Sequence, residues 1–115
     1  MAEFMLLMRN EGIPMANLSD EEKGAVMEEW GTWMGGLQAQ GKLKGGLPFN
    51  PASAVVINSN GEHTNGYYSE GNDVNVGGFI HLEVADLNEA VAIAKSTPGL
   101  HGTGSTVEVR EFMEM

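Results

Sequence analysis

The chain has 115 residues, with 16 acids against 6 bases, a net charge of −10 and no cysteine. This length points to one domain, 1–115. The charge and the lack of a basic stripe exclude nucleic acid and anionic membranes as partners, and the missing cysteines exclude disulfides and thiolate metal sites.

The first segment, 3–9, is short, apolar and closed by Arg9. It is predicted to be strand one. Phe4, Leu6 and Met8 lie on one side, and Met5, Leu7 and Arg9 on the other, so the strand wants cover on both faces. Residues 1–12 lack the basic start and small-residue cleavage site of a secretory signal. No apolar run approaches the ~20 residues needed to cross a bilayer. A cytoplasmic protein is expected.

Residues 18–41 predict helix one. Ser19 and Glu22 have the spacing of a capping box. Val26, Trp30, Trp33, Met34 and Leu37 recur at helical spacing and form the expected buried stripe. The tryptophan pair is better explained by that packing than by a ligand box. Residues 44–53 read as a loop, because glycine and proline punctuate them. Strand two is expected over 54–59, followed by the Asn60-Gly61 turn signal and a short return strand within 62–68. Strand three follows over 77–84. Helix two covers 86–96, with Asp86 and Glu89 as a second capping box and Pro98-Gly99 beyond its end. Strand four covers 105–112.

The order is βαβ twice, the split pattern of a ferredoxin-like α+β domain. Such a domain has a four-stranded antiparallel sheet in the order 4-1-3-2, with both helices on one face. The apolar character of strand one on both sides predicts that two sheets pack face to face in a homodimer.

Strand alternation then sorts the polar groups. Ile80, Leu82 and Val84 should meet the helices, leaving Phe79, His81 and Glu83 on the open face. Val107 and Val109 should do the same on strand four, leaving Glu108, Arg110 and Phe112 open. Topology also predicts that Arg9, the Tyr67-Tyr68 tip, the segment 77–81 and His101 lie toward one end of the domain. An apolar space with a few convergent polar groups is the usual form of a small-molecule site. Within it, His81 or His101 would carry a proton near neutral pH, and Arg9 would hold an anionic group. Asn65, Tyr68, Asp73, Glu83 and Arg110 complete the candidate ligand-binding set. His81 and Glu83 fit equally well as ion pairs that set the register of a dimer. His101, in a glycine-rich connection, fits either a site or the C-terminal cap of helix two. His63 is expected in solvent.

Three widely spaced histidines without cysteine give no metal signature, and no cofactor is expected. Phosphate-loop and dinucleotide fingerprints are absent, as is the nucleophile elbow of covalent hydrolases.

The segments 4–12, 18–46, 77–94 and 101–112 together resemble the YCII-related, or DGPF-domain, family of the dimeric α+β barrel superfamily. The resemblance covers nearly the whole chain. It implies a ferredoxin-like domain that dimerises through its sheets. It also implies lyase-like chemistry on small molecules, as in branches with a His–Asp pair, and related dimeric barrels include monooxygenases and lactone isomerases that work on hydrophobic or aromatic substrates. A non-catalytic dimeric binding or regulatory module is the alternative. A heme- or oxygen-handling barrel follows only from analogy of fold. The chain departs from the family at its signature: the family's T-D-G-P-F-A-E corresponds to Thr64-Asn65-Gly66-Tyr67-Tyr68-Ser69-Glu70. Asn65 stands at the aspartate position. Asparagine hydrogen-bonds but takes up no proton, so an acid–base role for that position is not expected here. The histidine of the family's His–Asp branches is not visible in the N-terminal part.

Overall fold

The computed structural model describes residues 1–11, 18–50, 52–66, 68, 74–100 and 105–115. Eight elements follow in chain order: β1 (Ala2–Glu11), α1 (Asp20–Ala39), β2 (Leu43–Pro48), β3 (Val55–Ile57), β4 (His63–Asn65), β5 (Val74–Val84), α2 (Leu87–Lys95) and β6 (Thr106–Glu111). A short 3-10 turn, Pro98–Leu100, follows α2. The main sheet is antiparallel, in the order β2-β5-β1-β6. That is the expected 4-1-3-2 arrangement of an α+β ferredoxin-like domain.

The helix ends follow from local chemistry. Ser19 Oγ accepts from the Glu22 amide and Glu22 Oε1 accepts from the Ser19 amide, both at 3.1 Å, so the capping box is complete. At the other end Gly41 has φ +71°, which L-residues rarely adopt. The Gly41 amide donates to the Gln38 carbonyl and the Lys42 amide to the Leu37 carbonyl. This pair of bonds is a Schellman stop, and it delivers the chain directly into β2. The Asp86–Glu89 cap differs from a reciprocal box. Asp86 Oδ1 accepts from the Glu89 amide, but Glu89 Oε1 accepts from Ala85 rather than from Asp86.

Strand two of the sheet is not the segment expected. Residues 54–59 do not enter the main sheet: β3 and β4 form a separate two-stranded hairpin. Residues 43–48, expected as loop, take the edge place beside β5. Of the glycines that suggested a loop, Gly46 is there because the strands approach closely. A Cβ on Gly46 would lie 2.6 Å from Ile80 Cδ1 and 2.8 Å from the Phe79 carbonyl oxygen, and one on Gly78 would lie 2.9 Å from the Leu47 carbonyl oxygen. Pro48 is tolerated because an edge strand has ladder positions that need no amide donor. Conversely, Ala54-Val55-Val56-Ile57 has the β-branched composition of a core strand yet serves the hairpin, where Val55 and Ile57 stay exposed.

The core lies between the sheet and the helices. Phe4, Leu6 and Met8 from β1, Ile80, Leu82 and Val84 from β5, Leu37 from α1, and Ala90 and Ala94 from α2 are buried. Trp30, Trp33 and Met34 pack around them partly buried. The two indoles meet edge to face at 5.6 Å, and Trp33 Nε1 donates to Ser96 Oγ at 2.9 Å, tying α1 to the end of α2. The tryptophans therefore join the helices, as their spacing predicts.

The close approach at Gly46 gives a paired expectation. Gly46→Ala forces backbone apart and should cost about 1–3 kcal/mol. Gly45→Ala, with open space at its Cβ, should change stability by less than about 0.5 kcal/mol. Urea denaturation of both variants checks the difference.

Candidate functional site

Because both helices lie on one side, the other side of the sheet is open. Its central strand, β1, presents Glu3, Met5, Leu7 and Arg9 there. β5 adds Phe79, His81 and Glu83, β6 adds Glu108 and Arg110, and Phe112 follows on the same side. Register arranges these in rows across the strands. Gly45, His81, Met5 and Arg110 form one row; Leu47, Phe79, Leu7 and Glu108 form the next.

His81 is held from two directions. Its Nε2 lies 2.9 Å from Glu3 Oε1, a diagonal cross-strand contact, because Glu3 is opposite Glu83 and His81 is opposite Met5. Its ring also packs against Phe112, with centroids 5.0 Å apart. A carboxylate on one ring nitrogen fixes the tautomer and orientation, leaving Nδ1 as the second hydrogen-bonding atom. Glu3 is the second residue of β1, and sequence reasoning missed it. The signal was its parity with Met5 and Leu7, which already placed it on the open side.

The remaining charges also meet in pairs. Lys44 Nζ lies 3.5 Å from Glu83 Oε2. Arg9 Nη1 bonds Glu108 Oε1, and Arg110 Nη1 lies 3.0 Å from Glu108 Oε2. The two guanidinium groups hold the Glu108 carboxyl below the ordinary value of 4.5, Arg9 contributing most and Arg110 next. The open face thus carries Glu3, Glu83 and Glu108 against Arg9, Lys44 and Arg110. Among these six described side chains the formal charge cancels.

The expected cluster at one end of the domain is only partly present. Arg9 is opposite Val76 and Thr106, while His81 is opposite Met5. Four residues along an extended strand separate the two rows by roughly 13 Å. A bulge at Gly77, between the pairs Met8–Gly78 and Arg9–Val76, lies between them. Arg110, not Arg9, shares the row of His81. Glu83 is on the open face, engaged by Lys44. Asn65 is exposed and pairs with Val55 in the hairpin. Tyr68 is exposed. Gly66, beside Asn65, has φ +98°, which explains why a glycine stands there. His101, Asp73 and Tyr67 lie outside the described residues. Among the described residues no three His, Asp or Glu side chains are grouped to hold a metal ion, and no described helix is long and apolar enough to cross a membrane.

A groove on the opposite, helical side is lined by Trp33, Leu37, Lys42, Glu89, Ile93 and Ser96. It is wide open, and Lys42 and Glu89 pair with each other there at 3.5 Å. The histidine and both arginines are on the sheet side instead.

Folding lowers the pKa of Glu108, so its ion pairs contribute stability above 4.5 and lose it as pH falls through the lowered value. Glu108→Gln should therefore flatten the acid side of the stability profile. Melting curves taken stepwise from pH 6 to about pH 3 check this.

No curated protein matches the chain. The pattern of the YCII-related domain matches residues 2–113. With the ferredoxin-like topology and the open, charge-balanced sheet face in place, that match spans every element described, and the chain belongs to the YCII-related domain family.

Proposed function

We propose that this chain is a cytoplasmic homodimer that packs its open sheet faces together and encloses a small-molecule site around His81. It would act as a binding protein or a lyase- or isomerase-like enzyme on small hydrophobic or aromatic ligands. The observation that carries this is the histidine itself: a half-buried ring held at 2.9 Å by Glu3 and flanked by Phe112, on a face that also presents Met5, Leu7 and Phe79. In the catalytic form, His81 is the proton carrier. Glu3 positions its ring.

The dimer rests on the apolar groups and the charge of the open face. Met5, Leu7 and Phe79 stand there on the side of the sheet away from the helices. A strongly acidic chain associates with its own copy most readily through a surface whose charge cancels, and the open face is such a surface.

One observation favours a non-catalytic module instead. Each acid of this face already has a basic partner within the chain, as a network that only sets register would. Two measurements separate the readings. Light scattering should give a dimer at micromolar concentration, with Leu7→Glu giving a folded monomer; a wild-type monomer overturns the interface. A thermal-shift screen of aromatic metabolites should give stabilising compounds whose effect is lost in His81→Ala. A dimer that responds to none of them supports the register-setting module.

A further inference from the structure

Resting on the open face as a ligand site, the structure assigns its anion-recognising group. We propose that Arg110, in one row with Met5 and His81, binds the carboxylate of a small monocarboxylic acid. The apolar or aromatic body of that acid would lie over Met5 beside Phe112, and its far end would hydrogen-bond His81.

The first observation is charge. The chain has two arginines, Arg9 and Arg110, and both reach the same carboxylate, one at each oxygen of Glu108. One carboxylate cannot neutralise two guanidinium groups. The cluster keeps one positive charge on a chain whose net charge is −10. A local cation in an acidic surround is where a small anion would collect, since the rest of the surface repels it.

The second observation is which arginine has capacity to spare. The Arg9 side chain is 30% exposed and the Arg110 side chain 69% exposed. Arg110 meets Glu108 through Nη1 alone in that ion pair. A guanidinium offers five donors in a planar fork that matches a carboxylate with two parallel bonds. Arg110 can therefore keep Glu108 and still present an edge to a ligand.

The third observation is register. Arg110 pairs with Met5, and Met5 pairs with His81. Two strand spacings place Arg110 and His81 about 10 Å apart at their backbones. Both side chains stand on the same face, one on either side of Met5. Met5 forms the floor between them, and Phe112, whose ring packs at a tilt against His81, forms a wall. Arg9, a further four residues along β1, lies out of this row and holds Glu108 in position.

The test is calorimetric binding of 4-hydroxybenzoate, benzoate and uncharged 4-methylphenol to the full chain. Wild type should prefer 4-hydroxybenzoate over 4-methylphenol by at least about tenfold, the size of one charge-assisted contact. Arg110→Gln should abolish that preference and leave 4-methylphenol binding unchanged. Glu108→Gln, which leaves both guanidinium groups uncompensated, should strengthen the preference. Lys95→Gln, an equal loss of charge on α2, should leave it intact. His81→Ala should remove the advantage of 4-hydroxybenzoate over benzoate. Retention of the preference in Arg110→Gln, or its loss in Glu108→Gln, overturns the assignment. Binding of 4-methylphenol with no gain from a carboxylate also overturns it, while leaving the apolar site standing. Failure of all three compounds to bind at millimolar concentration overturns both.

Discussion

The architecture depends on one constraint: β1 is an interior strand of a sheet that has helices on one side only. Its residues alternate strictly, so Phe4, Leu6 and Met8 are buried in the core and Glu3, Met5, Leu7 and Arg9 fall on the open side. A one-residue slip against β5 or β6 would turn Glu3 and Arg9 into the core. The same slip would break the Glu3–His81 and Arg9–Glu108 contacts. Core packing and the open-face pairs therefore select a single register together.

That coupling explains the distribution of charge. Most acids can sit anywhere on the surface of a soluble chain, but those on the open face are each matched by a base on a neighbouring strand or across a single strand. Diagonal contacts do this: Glu3 reaches His81 and Glu108 reaches Arg9, while Lys44 reaches across the edge to Glu83. Exposed pairs of this kind add little stability one by one. Together the described pairs balance the charge of this face.

Much of this was legible in sequence because it follows from short-range periodicity. The alternation of Ile80, Leu82 and Val84 against Phe79, His81 and Glu83 is visible in the residues and is obeyed in the structure. Ser19 with Glu22 announced the start of α1 correctly. What was not legible depends on close approach between distant segments. Gly46 looks like a loop residue until Ile80 is placed beside it, and Val55-Val56-Ile57 looks like a core strand until the sheet is found to be full. The separation of Arg9 from His81 was hidden for a similar reason. End-to-end topology places both near the same edge, but only register shows that they occupy different rows.

The edge strand has a consequence of its own. β2 is six residues long, contains two glycines and ends in Pro48. A short outer strand with a proline cannot offer a neighbour a long continuous ladder of donors and acceptors. Growth of the sheet sideways, strand onto strand, is therefore disfavoured along this border. Gly46, which lets β2 nestle against β5, also helps to blunt this edge as a template for open-ended stacking into ribbons.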